Sequence, residues 1–210
     1  MNLQVTSTDY LSILPPTILA VFGMLVLVID LFVRPERRPG LAWLALIGFV
    51  AAGAAALALI NQRGIGFHGM IALDPYAQVL GLVAIVAGGF TVLTSFNYVR
   101  DRNIGRGEYY ALLLFSVSGM VLMASANNLI IVFLALELLS IPLYVLAGFA
   151  RPDPQSEEAA LKYFLLGAFA SGFLLFGIAL TYGTLGSIDL TVIAAKIGQV
   201  GSSPMLLIGA

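Results

Sequence analysis

Six apolar runs, each long enough to cross a bilayer as a helix, limit this chain to membrane architectures. They are Ser12–Val33, Gly40–Ile60, Asp74–Phe96, Glu108–Ser125, Asn128–Phe149 and Glu157–Tyr182. About 20 apolar residues cover the hydrocarbon core at the helical rise per residue. Strands do not suit these runs, which are long, continuous, rich in Leu and Ala, and free of period-two alternation. Every backbone group in lipid must be bonded within its own segment or a closed barrel. The fold class is therefore all-α, a polytopic transmembrane helix bundle. A seventh run begins at Pro204 and reaches Ala210. The reading is six complete spans plus the start of a seventh, the N-terminal portion of a longer protein.

Composition agrees and excludes other classes. Of 210 residues, 60% are hydrophobic and 10% charged, and the mean hydropathy is +1.01. A soluble domain carries about a quarter charged residues to coat its surface. The 10 Lys+Arg against 11 Asp+Glu leave no basic face for nucleic acid. With no Cys and one His, the chain offers no disulfide framework, no Fe–S cluster and no His cluster for a metal. No phosphate loop, dinucleotide fingerprint, nucleophile elbow or metal-ligand spacing occurs.

Local punctuation supports helices. Pro15 and Pro16 fall in the first turn of the first span. Asp74-Pro75 reads as N-cap and first helical residue of the third. The sixth starts either at Asp153-Pro154 or at Ser156 with Glu157 and Glu158, acidic groups at the positive end of the helix dipole. The Ala126-Asn127-Asn128 link is short enough to force the fourth and fifth spans into an antiparallel hairpin. After the sixth span, Ser187 or Asp189 caps a short helix carrying Leu190, Ile193, Ala194 and Ile197 on one face. That helix reads either as interfacial or as an ordinary loop helix. Small residues in Ala51–Ala58, Gly88-Gly89 and the Gly167/Ser171 and Ala168/Gly172 pairs suit close helix packing.

Basic residues set the expected orientation. Arg34, Arg37, Arg38, Arg100, Arg102, Arg106 and Arg151 fall on one side, Arg63 and Lys196 on the other. The positive-inside rule then places the N-terminus outside. Asp9, with no Lys or Arg before it, argues against a cleaved signal peptide. Trp43, Tyr98, Tyr109 and Tyr110 read as an aromatic belt at the inner interface, and His68 as a solvated loop residue.

Three ionisable residues fall inside spans: Asp30, Glu137 and Lys162. Each costs about 2.5–3.5 kcal/mol at a helix centre on insertion scales. Asp30, close to Arg34 at i+4, reads as an interfacial anchor. Glu137 lies nine residues past Asn128, about 13 Å into the span, too deep for its short side chain to reach water. Pro142 leaves the Leu138 carbonyl without its helical donor and predicts a bend just past the Glu. That carbonyl, Ser140 and the carboxyl together form a polar spot that can hold water. Burial disfavours a charged carboxyl and a nearby cation favours it, so a group held between the two suits a proton relay. The alternative is a protonated Glu that bonds a neighbouring helix. Lys162 lies about 8 Å from the inner end of its span. Its residues alone are equally consistent with a cation on the proton path and with snorkelling beside Glu158, its i−4 partner. Glu137 and Lys162 are about 9 Å apart along the membrane normal, so water or another residue must connect them.

Three stretches carry a family resemblance. Arg106-Gly107-Glu108-Tyr109-Tyr110-Ala111-Leu112-Leu113-Leu114-Phe115 resembles the start of a fourth helix. Glu137-Leu138-Leu139-Ser140-Ile141-Pro142-Leu143-Tyr144 resembles part of a fifth. Glu158-Ala159-Ala160-Leu161-Lys162-Tyr163-Phe164-Leu165-Leu166-Gly167-Ala168 resembles a sixth. All three are similar to the subunit N family of proton-pumping NADH:quinone oxidoreductase (respiratory complex I), one of the antiporter-like subunit families. The likeness runs from about Arg100 to Gly186.

The resemblance implies an antiporter-like fold with inverted five-helix repeats, each lining half of a proton path. It divides the chain into an N-terminal three-helix segment, 1–106, and a truncated first part of the translocating repeat, 107–210. It implies a membrane-arm subunit coupling electron transfer from NADH to quinone to proton translocation. Glu137 and Lys162 would carry that function, with Pro142, Ser140 and Glu158 in support. The Lys that pairs with the fifth-helix Glu in the family would lie beyond Ala210. NADH, FMN, Fe–S clusters and quinone would be handled by other subunits, and this chain would bind no cofactor. Partners would be antiporter-like paralogues, small membrane subunits and the lipid bilayer, in a bacterial inner membrane. A cation/proton antiporter or membrane-bound hydrogenase-type complex is the alternative, and a non-transporting scaffold the third reading.

Overall fold

The computed structural model describes residues 6–34, 39–101, 107–150, 153–198 and 204–209. Arg37, Arg38, Arg102, Arg106, Arg151 and Ala210 lie outside the described residues. The chain is a helix bundle with one small hairpin. In order come α1 (Ser7–Ser12), α2 (Leu14–Asp30), α3 (Pro39–Ala58), β1 (Gly64–Gly66), β2 (Ile71–Leu73) and α4 (Pro75–Asp101). Then follow α5 (Gly107–Ala124), α6 (Leu129–Ala147), α7 (Pro154–Leu185), α8 (Leu190–Ile197) and α9 (Pro204–Gly209). The helices α3 to α7 are long and apolar enough to cross a membrane, and α2, with 17 residues, is a shorter apolar helix.

The first expected span is α2, preceded by the separate short helix α1. Pro15 and Pro16 lack the N–H groups that would bond back to Leu11 and Ser12, so α1 cannot continue into α2. The other starts follow their caps. Asp74 Oδ1 accepts from Ala77 N at 2.7 Å, Asn128 Oδ1 from Ile130 N at 2.9 Å, and Asp153 Oδ1 from Gln155 N at 3.1 Å. Of the two starts open for the sixth span, the one at Asp153-Pro154 is used. Asp189 caps α8, accepting from Thr191 N at 2.8 Å.

At the centre is α5, which packs against α2, α3, α4 and α6. Its Ala111, Leu114 and Val117 join Leu19, Val26, Phe49 and Val92 in one buried core. Glycines let these helices close up. Gly88 sits where a Cβ would meet Phe49 at 2.6 Å and Val117 at 2.7 Å. At Gly172, one of the residues expected to pack closely, no described residue comes within 4 Å of an added Cβ.

Several local expectations change. Tyr110 is buried in the core, edge-on to Tyr109, which also meets Phe149; these two are packing residues rather than a belt. Asp30 is the last residue of α2, and the chain still turns helically past it, with Val33 N donating to Ile29 O at 3.1 Å. Asp30 also lies against Gly107, whose added Cβ would come within 2.7 Å of it. In α8, Leu190 and Ile193 are half-buried while Ala194 and Ile197 are exposed.

The hairpin was not expected. Gly64 pairs with Leu73, and Gly66 with Ile71. Between the strands, Phe67 (φ 50°) and His68 (φ 55°) take left-handed backbone conformations that non-glycine residues adopt rarely. Asp9 holds this turn: its carboxylate accepts the Phe67 N–H, the Thr6 N–H at 2.7 Å and the Thr6 hydroxyl at 2.9 Å. The Phe67 N–H first, then the Thr6 N–H, hold the Asp9 carboxyl below its usual range; the Thr6 hydroxyl and the His68 charge add to this, and burial opposes it. A depressed folded value stabilises the clasp above the ordinary carboxylate range, and the contribution fades as pH falls through the depressed value. The Phe67 amide is therefore expected to exchange slowly, relative to its intrinsic rate, from neutral pH down to about pH 4, and faster below. In Asp9→Ala it should be fast throughout; equal protection in the two proteins would contradict the clasp.

Candidate functional site

Glu137 sits midway along α6, and two helix contacts fix its direction. On one side, α6 meets α5 through Gly119. An added Cβ there would lie 2.5 Å from Leu139 N, 2.8 Å from Ala135 O and 2.9 Å from Leu138 C. On another side, α6 meets α7. Tyr144 packs edge-on to Tyr163 and Phe164, with centroids at 4.8 and 5.8 Å, its hydroxyl seated over Gly167. Gly148 sits against Ala160. Glu137 is two turns before Tyr144 and so shares the face turned toward α7. Counting equally along both helices in their antiparallel arrangement brings Glu137 level with Ser171, each about 10 Å along the axis from the Tyr144–Phe164 contact.

The Glu137 carboxyl is half-buried, and its Oε1 is fully shielded with no hydrogen-bond partner among the described residues. A buried polar atom left in that state is unfavourable by about 1–3 kcal/mol. Ser140 does not answer it, since its hydroxyl donates to Leu136 O at 2.6 Å within the same helix. α6 runs on as one helix through Pro142, which is buried. Of the expected polar spot, the Ser140 hydroxyl is taken up within α6, while the carboxyl oxygen faces α7 and the Leu138 carbonyl still has no donor from Pro142.

Lys162 is placed elsewhere. Ala160, Tyr163, Phe164 and Gly167 turn toward α6, and the helical repeat puts Glu158 and Lys162 on the opposite side of α7. Lys162 Nζ reaches Glu158 Oε1 at 2.5 Å, with the two side chains 69% and 64% exposed. Glu137 and Lys162 are therefore not brought together; α7 lies between them.

Two features of the site escaped the sequence reading. Gly119 had only its small size as a signal. Ser116, one turn before it, is buried with a hydroxyl oxygen that has no partner among the described residues. Among those residues, no three His, Cys, Asp or Glu side chains gather as a metal site requires.

Residues 126–210 match the family described as NADH:quinone oxidoreductase/Mrp antiporter, transmembrane. The chain is 46% identical over 199 residues to NADH-quinone oxidoreductase subunit N of Trichlorobacter lovleyi, covering 94% of this chain and 41% of that protein. It is 40% identical over 202 residues to the subunit N of Chloroflexus aggregans, covering 96% and 40%. Within the structure of respiratory complex I from Thermus thermophilus with bound aureothin, one chain superposes with a TM-score of 0.71 at 37% identity. That match covers 93% of this chain and 42% of the other. This chain belongs to the NADH-quinone oxidoreductase subunit N family. It spans about two fifths of the length of the curated relatives it matches. The membrane-bound sulfane sulfur reductase shares the fold, with a TM-score of 0.76 at 22% identity over 97% of this chain and 42% of that one.

The region matched by the family contains α6 and α7, and with them Glu137, Glu158 and Lys162. Gly119 lies before it, on the helix that positions α6. Gly119→Val should force α5 and α6 apart at the level of Glu137, since backbone atoms cannot swing aside as a side chain can. The expected loss is about 1–3 kcal/mol of stability. Thermal stability equal to wild type would show that the helices adjust at this crossing.

Proposed function

We propose that this chain is part of a membrane-arm subunit of an NADH:quinone oxidoreductase, that it takes part in proton translocation, and that Glu137 is its proton-carrying carboxyl. The observation that carries this reading is the shielded Oε1 of Glu137, midway along α6, aimed toward α7 and without a hydrogen-bond partner among the described residues. An ionisable group placed there without a bond of its own is poised to exchange partners. In this reading α2 crosses the membrane with α3 to α7, as a sixth span. The N-terminus and the hairpin lie outside and the arginine-rich loops inside, in a bacterial inner membrane. Residues 1–106 brace the path and residues 107–210 carry it.

The chain binds no redox cofactor of its own in this reading, and electron transfer belongs to other subunits. Its partners are other membrane-arm subunits. Glu137 alternates between a cationic partner and water as the complex cycles, and each exchange changes how strongly it holds a proton. Lys162 acts from the far side of α7, through water, releasing and regaining Glu158. Pro142 and Ser140 shape α6 around the carboxyl.

Substitutions in the assembled complex test both roles. Glu137→Gln keeps the shape and removes the titrating group, so quinone-coupled proton pumping should fall by about tenfold or more. Wild-type pumping would make Glu137 structural. Lys162→Met should lower pumping more than Glu158→Gln does; equal small losses would reduce the pair to a helix-start ion pair.

A further inference from the structure

A cleft of about 780 Å³ opens at the hairpin end of the bundle, between the hairpin and the start of α4. Its lining combines Arg63, Asp74 and Tyr76. Arg63 has no ion-pair partner among the described residues. Asp74 uses Oδ1 to cap α4 through Ala77 N, and its second oxygen receives no hydrogen bond from a described residue. Among the described residues, the cleft thus presents a guanidinium with no ion-pair partner and one carboxylate oxygen with no donor.

Below its mouth the surface turns apolar. Tyr76, in the first turn of α4, is 73% exposed, and Val79, Leu80 and Val83 follow it at the spacing of a single helix face. All three are exposed. A tyrosine at the start of a membrane helix marks the headgroup level, and a stripe descending from it lies at acyl-chain depth.

We propose that this cleft binds the headgroup of a phosphatidylethanolamine lipid. The phosphate lies on the Arg63 guanidinium, whose planar donors match phosphate oxygens two at a time. The ammonium donates to the second oxygen of Asp74, and an acyl chain runs down the Val79–Leu80–Val83 stripe. Charge decides between candidates. Free phosphate or a phosphatidylglycerol headgroup would satisfy Arg63 but set an anion beside Asp74. Phosphatidylcholine carries a quaternary ammonium with no N–H to give. Only a lipid with both a phosphate and a hydrogen-bonding ammonium satisfies both side chains.

The complete complex, reconstituted in vesicles, tests this with photoactivatable phosphatidylethanolamine, phosphatidylcholine and phosphatidylglycerol supplied separately as trace lipids. Labelling between Arg63 and Val83 should favour phosphatidylethanolamine by about tenfold, the scale of one charge-assisted bond. Labelling at Phe90 and Leu93, farther along α4, should show no preference. Arg63→Gln and Asp74→Asn should each remove the preference; Asn still caps a helix, so its loss of labelling would not reflect an unwound α4. Equal labelling by all three lipids would overturn the proposal. So would displacement of the label by inorganic phosphate, which would make the site one for free anions.

Discussion

The close approach of α5 and α6 at Gly119 is the contact on which the rest of the arrangement depends. Lipid tails are as apolar as leucine side chains, so helices in a bilayer gain little from hiding apolar surface against each other. They associate through close packing, and close packing needs small residues at the crossing. Gly119 admits the backbone of α6 itself, at Ala135 to Leu139. The same device seats Phe115 over Gly23 and Phe22 over Gly48, where an added Cβ would fall 3.0 and 2.8 Å from the rings. With α5 locked to α2, α3 and α4, the crossing at Gly119 fixes the rotation of α6 and so the direction of Glu137.

That rotation separates the two intramembrane charges. Tyr144 over Gly167 holds α7 against the Glu137 face of α6, while the helical repeat carries Glu158 and Lys162 to the other side of α7. Glu137 looks into a helix interface and Lys162 away from it. Two charged elements divided by one helix make a path through water around α7 the physical requirement of any coupling between them.

Much of this was legible in the sequence. Span positions followed from apolar length, the α4 start from Asp74, and those of α7 and α8 from pairs of alternatives of which Asp153 and Asp189 form the caps. The depth of Glu137 followed from counting residues along α6. Direction did not follow. Lys162 and Glu137 each have a definite position along their helices, but which way they face depends on contacts between helices, made by Gly119, Tyr144 and Gly167. The hairpin escaped because its strands have three residues each, too few to show alternation. Asp9 and Asn127 secure it from distant parts of the chain, with Asn127 Nδ2 donating to Gly69 O at 2.8 Å.

The proton on Glu137 is the most direct test of the account. Infrared difference spectra of the assembled complex, recorded across pH and between resting and turning-over states, report carboxyl protonation through the C=O stretch. The account predicts a carboxyl band that changes between these states and is absent from the Glu137→Gln complex. An identical difference spectrum in the two complexes would show that Glu137 keeps one protonation state throughout, and would contradict it.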